Sequence, residues 1–521
     1  MLLAELVETH TALSATRSRL RKRELLSQAL RAAAAPGDRD GPEGDEIEIV
    51  ASYLSGRHRQ RRTGLGRRSL AEAPPAADAP GLTPVAVDDA LETLSHLAGP
   101  GSQTARATAV TDLFSRATAA EQRFLRDLIL GELRQGALDS LLLDAIAAAA
   151  DVPVRVVRRA AMFSALSGPI ARAALTGGTA SLDGFRLEVG RPVRPMLASS
   201  APDVAGGLER FDGEVAADVK LDGIRVQVHV TGGDVTVFTR SLDDITERLP
   251  EVVAVARSLD VRAAVLDGEA LALDDDGRPR PFQDTAARTG THDAEPDALP
   301  LTVRFFDLLH LDGTDLIDSP ARDRLAALDH AAGPDAVVPR VTSTEATTVQ
   351  EFFEATVAQG HEGLVLKDLD APYDAGRRGA AWVKVKPRHT LDLVVLAVER
   401  GSGRRQGWLS NIHLGARDPA GGFVMLGKTF KGMTDEMLAW QTERFTELAD
   451  GPTDGYVVTV RPEQVVEIAF DGVQRSTRYP GGVALRFARV LRYRDDKRPD
   501  EADTLQTVRR LLDPQGTDRS V

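Results

Sequence analysis

The sequence predicts a multidomain protein: an all-α N-terminal domain, a middle α+β domain built on antiparallel sheets, and a small C-terminal β-barrel. Three observations predict it. The length of 521 residues corresponds to about three domains at roughly 100–200 residues each. Apolar residues follow a helical period up to about residue 180, then switch to short alternating runs. Where the texture changes, Gly190-Arg-Pro-Val-Arg-Pro-Met-Leu-Ala198 carries two helix-interrupting prolines.

Within the helical part, Thr118-Ala-Ala-Glu121 has the form of a capping box, with Phe124, Leu125, Leu128 and Leu133 as the apolar face that follows. The stretches from Pro36 to Glu46 and from Ala73 to Pro84 read as loops. Further on, Arg225-Val-Gln-Val-His-Val230 and Asp234-Val-Thr-Val-Phe-Thr239 alternate on either side of Gly232-Gly233, which predicts a hairpin. Short strands are expected at Ala264 to Leu273, Thr302 to Leu308, Gly363 to Lys367 and Trp382 to Lys386. A second boundary falls after about Pro387, and Leu393 to Val398, Phe423 to Leu426 and Val465 to Phe470 then suit a small barrel. The expected division is 1–188, 189–388, 389–505 and a tail, 506–521, with no readable function. No internal repeat is visible.

Composition narrows the classes. Hydrophobic residues make up 42% and charged residues 27%, as in a soluble globular protein, and no apolar run approaches the roughly 20 residues of a membrane span. The start, Met-Leu-Leu-Ala-Glu-Leu-Val-Glu, lacks the basic end of a secretory signal, so a cytoplasmic protein is expected. The absence of cysteine excludes disulfides, thiolate nucleophiles and Cys-bound zinc, leaving oxygens or histidines to hold any metal. A net charge of −13 argues weakly against nonspecific nucleic-acid binding. Local clusters argue the other way: Arg57, Arg59, Arg61, Arg62, Arg67 and Arg68 form one, and Arg17, Arg19, Arg21, Lys22 and Arg23 another. A solvated charged face is the default reading of either.

The chemistry centres on Asp218-Val-Lys220-Leu-Asp222-Gly223-Ile-Arg225. Taken alone, Lys-x-Asp-Gly reads as a solvated turn. It is followed in order by Thr239-Arg240, Leu266-Asp267-Gly268-Glu269, Phe305-Phe306-Asp307, Glu362-Gly363-Leu-Val-Leu-Lys367 and Trp382-Val-Lys384-Val-Lys386. Such a series sets one nucleophilic lysine, two carboxylates, an aromatic face and several cations at the ends of neighbouring strands, the set that nucleotidyl transfer requires. An amine must be neutral to attack an α-phosphorus, and at an ordinary lysine pKa near 10.4 only about 0.1% is neutral near pH 7.5, an adverse term of roughly 4 kcal/mol. Lys384, Lys386 and a divalent metal are the expected sources of the positive field that lowers it. Glu269 and Glu362 are hard oxygen ligands suited to Mg²⁺. Individually each fits a solvated strand end equally well, and Phe306 fits the core.

In that order, the motifs from about residue 85 to 505 resemble those of the covalent nucleotidyltransferases: ATP-dependent DNA ligases, RNA ligases and capping enzymes. The likeness is strongest to DNA ligases with a helical DNA-binding domain ahead of the catalytic core, as in archaeal, eukaryotic and some bacterial enzymes. Asp112-Leu-Phe-Ser-Arg116, Arg123-Phe-Leu125, Gly131-Glu-Leu-Arg134-Gln-Gly136 and Leu142-Leu-Asp144-Ala-Ile146 resemble that helical domain. Arg486-Phe-Ala-Arg489-Val-Leu-Arg492-Tyr-Arg494-Asp-Asp496-Lys497 resembles the motif that ends the family's OB-fold barrel. The resemblance implies that Lys220 carries AMP, that Asp218 and Phe306 meet adenine, and that Arg225, Arg240 and Glu269 surround ribose and phosphate. It further implies Glu362 beside Glu269 at the metal, Arg378 and Lys384 on ATP, Lys386 near the α-phosphate, and Arg494, Asp496 and Lys497 on the leaving pyrophosphate. Two positions depart from the pattern: Asp218 stands where Glu is common, and Ala488 where Pro is common.

The implied cofactors are ATP and Mg²⁺, and the implied partner is nicked double-stranded DNA, encircled by a monomer and gripped through phosphates. On this reading, removal of residues 1–185 weakens DNA binding and spares self-adenylation. RNA ligases and capping guanylyltransferases share the lysine chemistry, but the long helical N-terminal region is unlike them. The resemblance to NAD-dependent ligases would include a Cys-bound zinc module, which this chain lacks. A catalytically inactive nick-binding protein is the remaining alternative, and intact Lys220, Glu269, Glu362, Lys384 and Lys386 weigh against it.

Overall fold

A computed structural model describes residues 1–35, 45–60, 62–133, 139–290, 299–376 and 378–512. Most of the expected loop at Pro36 to Glu46, Arg61, the Arg134-Gln-Gly136 stretch and the tail beyond 512 lie outside the described residues, as does the side chain of Arg378.

Among the described residues, the first part is built from helices Leu3–Ala15, Arg19–Ala34, Asp45–Leu54, Pro84–His96, Ser102–Ser115, Ala119–Ile129, Asp139–Ala150, Val154–Ala161 and Gly168–Leu182. Their apolar stripes meet in one core, in which Leu3, Leu26, Leu30, Val50, Leu91, Leu125 and Ile146 are buried. Local chemistry sets the helix ends. Thr118 accepts from the Glu121 N–H while the Glu121 carboxylate accepts from the Thr118 N–H at 2.8 Å, closing the capping box. At the other end of a helix, Arg31 donates to the Ala148 and Ala149 carbonyls of Asp139–Ala150, satisfying last-turn acceptors that the helix leaves open. No helix among the described residues is long and apolar enough to cross a membrane.

The middle part contains β1 (Leu197–Ala201), β2 (Val215–Lys220), β3 (Ile224–Thr231), β4 (Asp234–Thr239), β5 (Ala263–Ala272), β6 (Leu301–Leu311), β7 (Thr314–Asp315), β8 (Arg340–Ser343), β9 (Gly363–Asp368) and β10 (Arg378–Val385). They form two five-stranded sheets, ordered β1-β10-β9-β2-β8 and β4-β3-β5-β6-β7. Every pair is antiparallel except β1 with β10. The β3–β4 hairpin turns at Gly232 and Gly233, with φ of +58° and +98°, values that glycine reaches without strain. Helices Pro250–Ser258 and Ala321–Ala332 cover the second sheet, and Ala346–Ala358 packs on β8 and β9 of the first.

The C-terminal part contains β11 (His389–Arg400), β12 (Leu409–Arg417), β13 (Phe423–Thr429), β14 (Val457–Thr459), β15 (Val465–Phe470), β16 (Gly472–Arg475), β17 (Val483–Arg486) and β18 (Arg489–Tyr493). One antiparallel sheet runs β13-β12-β11-β15-β18, with β14 added to β11, and β16–β17 forms a separate hairpin. The expected barrel is therefore an open sheet and a hairpin over one apolar core, not a closed ladder among the described residues. Phe487, at φ +55°, lies between β17 and β18.

Between the helical and middle parts, the chain crosses β3 and is tied to it by side chains. The Gly190 N–H donates to His229 Nδ1 at 2.9 Å, and the Val193 N–H to Gln227 Oε1 at 2.7 Å. Gln227 Nε2 returns a bond to the Val193 carbonyl, and His229 Nε2 meets Gln227 Oε1 at 3.0 Å. The His229 ring is buried edge-on against Phe238, and burial, aided by His310, pushes its pKa down to about 3. An unfolded chain takes up a proton near pH 6.5 that the folded ring refuses until about pH 3, so stability falls as pH drops across that window. The full loss is about 5 kcal/mol at 1.36 kcal/mol per pKa unit. His229→Gln should flatten the decline in urea-unfolding stability of the middle part between pH 7 and pH 4.5; parallel declines in the two proteins would refute this role.

Candidate active site

The two middle sheets enclose a cavity of about 220 Å³ whose lining comes from strand after strand. Leu197 and Ala198 enter from β1, Asp218 to Lys220 from β2 with Leu221, Arg225 from β3, and Arg240 from the end of β4. Glu269 enters from β5, Phe306 from β6, Val365 and Lys367 from β9, and Trp382 and Lys384 from β10.

Register explains why these side chains meet. Lys220 ends β2 opposite Gly363, the first residue of β9, and the Glu362 N–H donates to the Lys220 carbonyl at 3.2 Å. The Glu362 carboxylate consequently pairs with the Lys220 ammonium through one oxygen and with Lys386, at 2.5 Å, through the other. Burial alone would raise the Glu362 pKa, but Lys220 and Lys386 outweigh it and hold the carboxyl below its ordinary range. The Lys386 ammonium is raised in turn, as Glu362 and Asp471 overcome its burial. Gly363 sits at φ +134°, where a Cβ would meet the Val385 carbonyl at 2.2 Å, so only glycine admits this approach.

Across the cavity, Arg225 and Glu269 are partners in the β3–β5 ladder. Glu269 Oε1 accepts from the Gly223 N–H at 3.2 Å, and a Cβ on Gly223 would strike the Ala270 carbonyl at 2.3 Å. Burial lifts the Glu269 carboxyl to about 7 against the opposing pull of Lys220, Arg225 and the Gly223 N–H. Arg225 is clamped by Asp267 at 3.0 and 2.6 Å and by the Met196 carbonyl at 2.6 Å, which places its guanidinium 5.5 Å from the Phe306 ring. Tyr373 donates to Asp267 at 2.6 Å.

Asp218 is bound more tightly than its sequence suggests. Its β8 partner is Arg340, whose Nε reaches Oδ1 at 2.5 Å, while Lys367 Nζ reaches Oδ2 at 2.8 Å. Lys367 also donates to the Phe306 carbonyl and lies 4.6 Å from the Trp382 ring, its ladder partner. Its pKa is lowered by burial, against the charges of Asp218 and Asp307. Lys367, Trp382, Arg340, Asp267 and Tyr373 were not singled out from the sequence. Lys367 and Trp382 stood at the ends of quoted motifs, whereas Arg340, in a four-residue strand, gave no signal.

Of the residues expected at the site, Asp218, Lys220, Arg225, Arg240, Glu269, Phe306 and Lys384 line the cavity, and Glu362 and Lys386 adjoin Lys220. Arg494, Asp496 and Lys497 do not line it. Arg494 and Lys497 bind Asp392, at 3.2 and 2.5 Å, and Arg494 also pairs with Asp496 at 2.7 Å. The C-terminal part instead faces the site with its hairpin: Arg486 pairs with Asp222 at 2.8 Å, and Asp471 with Lys386 at 3.3 Å.

Among the described residues no three His, Cys, Asp or Glu side chains gather as a complete metal cage. Glu362, paired with Lys220, and Glu269, which feels the Lys220 charge, are instead a two-carboxylate oxygen set, which fits a cation that keeps waters and shares substrate phosphates.

Lys367 tests the charge balance. Removing its ammonium leaves Asp218 with Arg340 as its one charged partner and takes a donor from the Phe306 carbonyl, at a cost of about 1–3 kcal/mol for buried groups that lose a hydrogen bond. Lys367→Met should therefore lower the thermal midpoint of the middle part, and Asp218→Asn should cost less when added to it than when made alone, because the Lys367–Asp218 pair is then already lost. Additive losses in the double variant would show the two groups uncoupled.

Three family models match the chain: "DNA ligase N terminus" over residues 69–147, "ATP dependent DNA ligase domain" over 195–386, and "ATP dependent DNA ligase C terminal region" over 405–497. A protein of Beutenbergia cavernae named "Probable DNA ligase" is 62% identical over 520 residues, covering 98% of this chain and 99% of its own. One of the same name from Nocardioides sp. is 60% identical over 514 residues, with 98% and 99% covered. The solved structure "Pmar-Lig_Pre." shares the fold at a TM-score of 0.63 and 18% identity, over 94% of this chain and 99% of that one. A motif order centred on Lys220, matches in all three regions and near full-length relatives agree: the chain belongs to the ATP-dependent DNA ligase family.

Proposed function

We propose that this chain seals nicks in duplex DNA through a lysyl-adenylate on Lys220. The placement of Lys220 carries the reading: the amine stands at the end of β2, on the wall of a polar and aromatic cavity, against a carboxylate shared with Lys386. In the first step Lys220 Nζ gives up a proton and bonds to the α-phosphorus of ATP as the α–β bridge breaks and pyrophosphate leaves. A DNA 5′-phosphate oxygen then attacks that phosphorus and frees the lysine. Finally the 3′-hydroxyl attacks the 5′-phosphorus, closing the strand and releasing AMP. Each is an in-line displacement, so the enzyme's work is positioning and charge stabilisation.

Phe306 and Asp218 would receive adenine, with Lys367 and Arg340 orienting the carboxylate. Arg225, Arg240, Arg378 and Lys384 would hold ribose and phosphates, and Lys386 the α-phosphate. Mg²⁺ would be held by Glu269 and Glu362 and would offset phosphate charge. Arg494, Asp496 and Lys497 would orient the leaving pyrophosphate, which calls for rotation of the C-terminal part from the position described. We read that part as an OB-fold, on the support of its five main strands and the covering hairpin. The domains are assigned as 1–188, 189–388 and 389–505, the last extended by helix Leu505–Arg510, whose Val508 is buried in the C-terminal core, in a cytoplasmic monomer that closes around nicked DNA.

Incubation with α-labelled ATP and Mg²⁺ should leave label on the denatured protein, with AMP mapped by mass spectrometry to Lys220. Lys220→Ala should abolish labelling yet seal a nick that already bears 5′-AMP. AMP on another lysine rejects the assignment, and joining of nicked RNA but not nicked DNA rejects the substrate. Asp496→Ala and Lys497→Ala should cut labelling strongly and sealing of the pre-adenylated nick much less; equal losses in both assays would point to general damage instead.

A further inference from the structure

We propose that the docked end of the helical domain forms part of the nucleotide site's supporting wall, and that Phe163 is a positioning residue setting affinity for ATP. Met162 and Phe163 follow helix Val154–Ala161, yet they lie in an apolar cluster separate from the helical core. That cluster contains Tyr373 and Trp382 of the middle domain, and Phe163, Tyr373 and Trp382 are all buried. Tyr373 meets Trp382 edge to face at 5.7 Å, and Trp382 meets Phe306 in the same way at 5.9 Å. Trp382 and Phe306 line the nucleotide cavity. Phe163 and the aromatic side of the cavity wall thus belong to one packed cluster.

Polar contacts fix this docking. The Arg194 N–H donates to the Met162 carbonyl at 2.9 Å, and Arg194 Nε to the Ser164 carbonyl at 2.7 Å. Two residues on, the Met196 N–H donates to the Tyr373 hydroxyl at 3.0 Å, and the Met196 carbonyl accepts from Arg225. Arg159 lies 4.8 Å from the Phe163 ring and reaches Asp318 of the middle domain at 2.5 Å. Phe185 packs against both the helical core and the shared cluster.

Close-packed interiors transmit a missing side chain to their neighbours, since a truncated ring leaves a cavity that the surroundings partly fill. Loss of the Phe163 ring would let Tyr373 and Trp382 relax away from Phe306 and Arg225. The β2–β9 ladder, which sets Lys220 against Glu362, is held by its own hydrogen bonds. ATP binding should therefore weaken while the rate of lysine attack at saturating ATP holds. Deletion of residues 1–185 removes Phe163 and Phe185 together, so it would impair self-adenylation at low ATP instead of sparing it.

The inference rests on the cavity being the ATP site, which labelling of the wild-type full chain tests first; an unlabelled wild type overturns that reading. Given labelling, Phe163→Ala should raise the ATP concentration for half-maximal self-adenylation about fivefold or more, the lower end of ordinary site-to-site coupling. The maximal rate should change less than about twofold, as expected when only binding is lost. Phe163→Leu, which keeps apolar volume, should restore most of the affinity. Linkage requires the reverse effect, so a non-transferable ATP analogue should slow backbone amide exchange at residues 159–163 and 185–194 of the wild-type chain. Unchanged half-saturation in Phe163→Ala, a fall in its maximal rate alone, or exchange indifferent to the analogue would each overturn the coupling.

Discussion

The pairing of β2 with β9 is the constraint on which the site depends. Its last rung sets Lys220 opposite Gly363, and so brings Glu362, one residue before, against the lysine amine. A slip of one residue would turn every side chain of β2 to the opposite face of the sheet. Lys220 would then turn away from Glu362, and Asp218 from Arg340 and Lys367. The same ladder, continued to β10, puts Trp382 opposite Lys367 and brings Lys386 to the far oxygen of Glu362. One hydrogen-bonded register thus fixes Lys220, its carboxylate partner and two more of the cations.

Around that frame the charges are arranged in compensated groups. Arg324 and Asp307 are wholly buried and joined by two hydrogen bonds, and the pair keeps the Asp307 carboxyl below its ordinary range despite burial. Arg340, Asp218 and Lys367 form the next group, and Arg225, Asp267 and Tyr373 a third. Buried ion pairs of this kind contribute little net stability, because desolvation offsets most of the attraction. Their effect is to hold donors and acceptors at fixed positions, which suits a pocket for a polyanion. Glu269 differs from them: with burial as the largest influence, its carboxyl sits near 7, and a cation arriving beside it would favour the ionised form.

Much of this was legible in the sequence, because alternation and turn residues are local. The hairpin appeared as β3 and β4 with glycines at its turn, Val465 to Phe470 became β15 to the residue, and Thr118-Ala-Ala-Glu121 formed its capping box. Less legible were features that depend on distant pairing. Arg340 is recognisable as a partner of Asp218 only once β8 lies beside β2, across more than a hundred residues of chain. Strand β1 pairs parallel to β10, an exception to the expected antiparallel pattern that no local signal marks. Barrel closure likewise depends on how strand ends meet, and strand composition does not fix it. The position of Arg494, Asp496 and Lys497 depends on the arrangement of whole domains, which a motif cannot encode.

That arrangement has a physical asymmetry. The helical and middle domains share an apolar cluster, in which Met162 and Phe163 are buried with Tyr373 and Trp382. Among the described residues, no such cluster joins the middle domain to the C-terminal one: the apolar groups after residue 390 pack only with each other. The contacts across that boundary are polar or involve a cation over a ring, namely Arg486 with Asp222, Asp471 with Lys386, Gln283 with the Arg475 carbonyl, and Arg486 5.7 Å from the Phe282 ring. Arg486 and Asp222 are each about one-quarter exposed, so water can replace each partner at modest cost. An apolar seam, by contrast, must expose its area to water before it can open. The C-terminal domain is therefore the part that can exchange one face for another at the site. Because Asp222 follows Lys220 by two residues, the contact that holds the hairpin face in place is made on the turn that follows Lys220.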